Sequence, residues 1–276
     1  MPSTPPANPL AGPRLWNHAA PDYLRDVAPG LSLFAEDALR LARVGAGMRV
    51  ADVACGPGSL SFAAVKAGAR ASALDFSSEM IELLRERAAR DGVVAIDAQV
   101  GDGMALPWPE GAFDAAFSLF GLIFFPDRGR GLAELRRVLR PGGRAVVSSW
   151  IPADQVPVIA DVWSVLAAEI PNLPYTRIRP VLGDPEAFRA ELAAAGFEAV
   201  EVHEVQHPLE VPSAVAYWRS LERSTPPLIA TREAVPDTRW AELSQAIARR
   251  LEERFGAGPL RVPLMALLGA GQRPRA

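Results

Sequence analysis

Between Met48 and Trp150, short apolar β-prone runs alternate with helix-patterned stretches, and this alternation leaves the chain few folds to adopt. Met48–Ala54 reads as a first strand, Ser59–Ala67 as a helix and Arg70–Leu74 as a second strand. Ser77–Arg90 reads as a helix, with Ser77 or Ser78 as N-cap and Glu79 in its first turn. Val93–Val100 and Phe113–Leu119 are the third and fourth strands. A helix capped by Asp127 then runs to Leu139, and Pro141-Gly142-Gly143 turns into a fifth strand, Arg144–Trp150. Strands separated by helices imply right-handed crossovers and an α/β fold with a doubly wound, mostly parallel sheet.

The flanks are less regular. Residues 1–14 carry five prolines and read as a disordered tail. Residues 15–45 form a helical cap, with Tyr23, Val27 and Leu31 on one face of a first segment and Phe34, Ala38, Leu41 and Ala42 on one face of a second. Residues 46–150 are the α/β core. Residues 151–276 hold the rest of the sheet, including strands Phe197–Val205 and Val262–Gly269. Two segments inserted there, about 151–184 and 208–260, carry further helices (Val158–Glu169, and around Ala214–Glu222 and Trp240–Phe255) and read as lids.

In open α/β sheets, ligands bind beyond the carboxyl ends of the strands. The first strand delivers Asp52 and a turn, Ala54-Cys55-Gly56-Pro57-Gly58, at a helix start, where free N–H groups and the helix dipole favour polar or anionic ligands. The second strand ends at Asp75, 17 positions after Gly58 and close to the spacing at which a carboxylate meets a ribose diol. The third ends at Gly101-Asp102-Gly103-Met104 and the fourth at Ser118-Leu119-Phe120. Together they describe a nucleoside site. A dinucleotide fingerprint needs a third glycine where Ser61 stands, and a phosphate loop needs Gly-Lys-Ser/Thr; both are absent.

Five linked motifs resemble the class I S-adenosylmethionine-dependent methyltransferases, most closely the ubiquinone/menaquinone-type and small-molecule branch. They are Val50–Gly58, Leu74–Met80, Gly101–Trp108, Phe113–Ser118 and Leu135–Gly143. The resemblance implies strand order 3-2-1-4-5-7-6 with strand 7 antiparallel, and S-adenosyl-L-methionine as cofactor with S-adenosyl-L-homocysteine as product. It implies that residues 52–58 hold the methionine end, Asp75 the ribose hydroxyls and Asp102 the adenine amine, with Phe76 and Met104 flanking the ring. Met80, Ser118 and Leu119 fall in the same motifs. Ala54 departs from the glycine common in the family.

Trp16 and Tyr23, in a segment that folds over the cofactor in similar proteins, are expected at the cofactor, and His18 is the candidate general base. Phe120, Phe124, Trp150, Tyr175 and Trp218 are the candidate acceptor contacts. Cys55, the only cysteine, reads as a packed residue and excludes an intrachain disulfide. A metal is not expected, because histidines are few and no ligand cluster stands out. With net charge −3 and no basic run, nucleic acid is not an expected partner, and no apolar stretch is long enough to span a bilayer. A cytoplasmic enzyme methylating a small, partly apolar organic acceptor is the expectation. A non-catalytic cofactor-binding protein and an NAD-linked Rossmann enzyme are the other open readings.

Overall fold

The computed structural model describes residues 8–170 and 182–275. Its seven strands are β1 (Arg49–Val53), β2 (Arg70–Asp75), β3 (Ile96–Val100), β4 (Phe113–Ser118), β5 (Leu139–Trp150), β6 (Glu198–Val211) and β7 (Leu260–Gln272). They form one sheet in the order β3-β2-β1-β4-β5-β7-β6. Pairing is parallel from β3 through β5, whereas β7 runs antiparallel to both β5 and β6, as the motifs imply. Helices cover both faces, which is why the central strands are apolar on both sides. Val50, Ala51, Val53, Ala115, Ala116 and Phe117 are fully buried.

The helices of the core are α3 (Ser59–Lys66), α4 (Ser78–Arg90), α5 (Arg128–Val138) and α7 (Pro185–Ala194). Ser77 caps α4 by accepting from the Met80 amide, and Asp127 caps α5 through the Arg130 amide. The Pro-Gly-Gly stretch lies inside β5 rather than before it. It forms an irregularity between the pairs Phe113↔Leu139 and Ala115↔Arg144.

The other helices make a second layer over the strand ends. They are α1 (Arg14–Asp26), α2 (Ala28–Leu41), α6 (Pro157–Glu169), α8 (Ala214–Ser224), α9 (Pro226–Glu233) and α10 (Asp237–Phe255). The buried carboxylate of Asp161 on α6 takes Arg250 at 2.9 Å and Arg254 at 2.7 Å from α10. Arg223 of α8 reaches Asp26 of α1 at 3.0 Å, and Arg14 of α1 pairs with Glu233 of α9 at 2.6 Å.

Several sequence expectations change. The disordered tail is too long as drawn: from Asn8 the chain is folded, Leu10 is buried, and its carbonyl accepts the Trp16 indole N–H at 3.1 Å. The cap breaks at Val27, so Leu31 belongs to α2. The second inserted segment shrinks to 212–259, because β6 runs through Pro208 to pair along the whole of β7. Proline is tolerated there because β6 is an edge strand and Pro263 opposite it lies beyond the β5 pairing. Pro226 and Pro227 open α9 instead of breaking a helix, since the first-turn amides need no intrahelical acceptor.

Candidate active site

The first glycine turn is held together by two buried carboxylates with different tasks. Asp52 is buried behind the turn and accepts the Ser61 hydroxyl at 2.6 Å, so it orders the start of α3 and does not line the cavity in front. Burial pushes its carboxyl up to about 7 against the pull of Ser61, and the Asp75 charge adds to the rise. Asp75 ends β2 and faces the cavity. It accepts the Gly56 amide at 2.8 Å and the Ser77 amide at 2.9 Å. Burial raises its carboxyl to about 6, while those amides hold it back.

Backbone conformation fits these roles. Gly58 sits at φ 89° before α3, where an added Cβ would come within 2.9 Å of Leu84. Ala54 adopts φ 57°, a left-handed conformation costing a non-glycine residue about 1–2 kcal/mol. Its methyl group lies against Gly121, whose own Cβ would be 2.3 Å away.

In front of the turn lies a cavity of about 260 Å³. Of the residues expected at the cofactor, Ala54, Gly56, Asp75, Phe76, Met80, Gly101–Met104, Leu119, Tyr23 and Trp16 line it. Asp102 is exposed at its rim and accepts the Met104 amide at 2.8 Å. Cys55, Pro57, Gly58 and Ser118 do not line it. Cys55 is buried, its thiol pushed up by burial and by the two aspartates. Ser118 is turned inward to accept the Leu122 amide at 3.1 Å.

A second cavity, of about 300 Å³, lies under α1, α6, α8 and α9. Trp16, Tyr23, Phe120 and Phe124 line both cavities and form the wall between them. Trp16 packs on Phe124, Tyr23 and Phe76 with ring centroids 5.0, 6.3 and 6.3 Å away. Phe120 stacks on Trp150 at 4.1 Å, and Phe34 props both rings from behind. The remaining lining is largely aliphatic and aromatic. Its one charged residue among the described residues, Asp26, is already paired to Arg25 and Arg223; burial works against these partners, but they hold its carboxyl below the usual range.

Two candidates are displaced from this site. His18 is exposed on the outer side of α1, near Glu233, because it lies about 200° round the helix from Trp16. Trp218 is fully buried between lid helices and donates to the Ser244 hydroxyl at 3.0 Å. Tyr175 lies outside the described residues. Conversely, the sequence reading passed over Tyr217, Trp163 and Asp26, which line the second cavity. For Asp26 a signal existed, since it lies three residues after Tyr23 on the same helical stripe.

Among the described residues no helix is long and apolar enough to cross a membrane, and no group of three or more His, Cys, Asp or Glu side chains could hold a metal ion.

A family profile described as "Methyltransferase domain" matches residues 50–143. An uncharacterized protein of Mycobacterium tuberculosis is 39% identical over 109 residues, 40% of this chain; the match spans about two fifths (39%) of that protein's length. A demethylmenaquinone methyltransferase of Thermus thermophilus is 32% identical over 212 residues, 66% of this chain and 91% of that protein. Among solved structures, one described as the [4+2]-cyclase SpnF has a TM-score of 0.56 at 19% identity, covering 89% of this chain and 81% of that one. Its likeness concerns the fold alone.

Proposed function

The chain belongs to the class I S-adenosylmethionine-dependent methyltransferases, and from that membership we propose that it transfers a methyl group to a small, uncharged, largely apolar organic acceptor. The observation carrying this reading is the pair of cavities sharing the wall Trp16, Tyr23, Phe120 and Phe124. One lies on the polar strand ends and suits a nucleoside; the other is apolar and suits an acceptor.

The residues present fit the cofactor. Gly56 sits at φ 52°, where an added Cβ would meet only the Tyr23 ring, at 4.0 Å, so its face is open to the cavity. Asp75 would take the ribose hydroxyls, the Gly56 turn the methionine end, and Phe76, Asp102 and Met104 the base. Bound there, the cofactor supplies a methyl group already activated by a sulfonium.

What the chain must add is mostly position. Holding two reactants at attack distance is worth roughly 7–11 kcal/mol. Among the described residues, neither cavity is lined by histidine, lysine or glutamate, and the carboxylate of Asp26 is occupied by arginines. The reading therefore assigns no side-chain base: the acceptor atom attacks as it arrives or passes its proton to water. Among the described residues the apolar cavity is lined by no free cation, so a carboxylate or phosphate acceptor would find no charged partner on those residues. The name of the Thermus relative, a demethylmenaquinone methyltransferase, is in keeping with an apolar acceptor.

Calorimetric titration with S-adenosylmethionine, S-adenosylhomocysteine and NAD should give binding for the first two only. With labelled cofactor, label should pass to neutral naphthols or quinols and not to phosphoethanolamine or glycine. Transfer confined to the charged acceptors, or binding of NAD alone, would reverse the reading.

A further inference from the structure

Helix α8 is locked in rotation by its neighbours. Trp218 is fully buried against α10, with its indole N–H on Ser244 and its ring 6.1 Å from that of Trp240. Arg219 binds the same Ser244 hydroxyl and Glu222, and Glu222 accepts from Ser244 in turn. The preceding residue, Tyr217, stands about 100° round the helix and lines the apolar cavity.

Tyr217 is 9% exposed, and its hydroxyl makes no hydrogen bond with any described residue. Among the described residues, the other hydroxyl and carboxylate groups lining that cavity are engaged or placed elsewhere, while Trp150 and Trp163 add indole N–H groups to its lining. Thr225 donates its hydroxyl to the Leu221 carbonyl at 2.6 Å, and Asp26 is held by two arginines. The Tyr23 hydroxyl also makes no hydrogen bond with any described residue, but Tyr23 stands in the wall between the cavities, close enough to Asp75 to feel its charge. A hydroxyl that lines an apolar cavity with no partner on the described residues favours a ligand that satisfies it over one that does not.

We propose that Tyr217 is a specificity-determining residue of the apolar cavity, its phenol donating a hydrogen bond to an oxygen of the acceptor. The recognised class is then a neutral apolar ring or chain bearing at least one hydroxyl or carbonyl group. Burial raises the phenol to about 12, so it is protonated and able to donate throughout the neutral range. The inference rests on the acceptor reading of this cavity given above.

The test uses the full chain saturated with S-adenosylhomocysteine and two near-isosteric probes, 2-naphthol and 2-methylnaphthalene, with binding followed by probe fluorescence. Tyr217→Phe should weaken 2-naphthol by about 3- to 10-fold, the range of one neutral hydrogen bond, and leave 2-methylnaphthalene within about twofold. Unchanged melting temperature and S-adenosylhomocysteine affinity would establish that the variant is folded. Tyr23→Phe should spare the difference between the probes. Equal effects of Tyr217→Phe on both probes, no effect on either, or a difference abolished only by Tyr23→Phe would overturn the assignment. Failure of both probes to bind the wild-type chain would overturn the acceptor-cavity reading and the assignment with it.

Discussion

Replacing Asp75 by asparagine should push folding stability and cofactor affinity in opposite directions. Lifting a buried carboxyl from 3.8 to about 6 corresponds to about 3 kcal/mol between its protonation states. Because the folded state binds this proton more tightly than the unfolded chain, the contribution is most favourable below pH 3.8 and is lost as pH rises through 6. At pH 8 the wild-type chain carries that whole penalty, and the variant carries none. Against this, the asparagine amide turns an N–H toward one of the two amides that the carboxylate accepted, from Gly56 and Ser77, which costs about 1–3 kcal/mol. The ligand-free variant should therefore match the wild type at pH 8 or exceed it by up to about 2 kcal/mol, and fall below it at pH 4. Asp52 also titrates, near 7, and the Asp75 charge adds to its rise, so the difference between the two pH profiles reports Asp75 together with its coupling to Asp52. Cofactor affinity moves the other way: losing charged hydrogen bonds to the ribose diol is worth about 1.5–3 kcal/mol, or about 10- to 150-fold in Kd. Urea unfolding across pH 4–8 and calorimetry with S-adenosylhomocysteine measure both quantities. Parallel stability profiles would refute the buried-carboxylate argument, and an unchanged Kd would remove Asp75 from the ribose.

His18→Ala should leave turnover within about twofold, since the imidazole is exposed beside Glu233 and lines neither cavity; a tenfold loss of kcat would restore it as a base. Gly121→Ala should cost about 1–3 kcal/mol, because its methyl would lie 2.3 Å from that of Ala54. Adding Ala54→Gly should recover at least about 1 kcal/mol, so strictly additive denaturant midpoints would refute the contact.

The sheet and its strand-end motifs were legible because their signals are local. A buried run, a glycine turn and a capped helix need only neighbouring residues, and β1, β2 and β4 begin and end within one or two residues of their expected limits. The Ala54 departure could be seen in the sequence, but its partner could not. Gly121 is 67 positions away, and only the pairing of β1 with β4 brings the two loops together. His18 was misplaced although the signal existed: Trp16 and Tyr23, seven apart, share a helical face that excludes a residue two positions after Trp16. The true length of β6 was hidden by Pro208, which reads as a breaker unless its edge position is known.

The acceptor side resists sequence reading for a different reason, visible in the dipeptide Tyr217-Trp218. Two adjacent aromatics on a helix diverge by about 100°, so one can line a cavity while the other packs in the lid. Size alone would favour Trp218 as the ligand contact, because tryptophan offers the larger surface. The decision comes from α10, where Ser244, 26 positions on, accepts the indole N–H and leaves the phenol facing inward. Exchanging the two side chains would preserve composition and helical propensity yet put a phenol against Ser244 and an indole, with a donor on a different vector, in the cavity. Specificity on this side of the molecule is thus set by which partner each lid helix finds, and that choice is made only when the lid assembles.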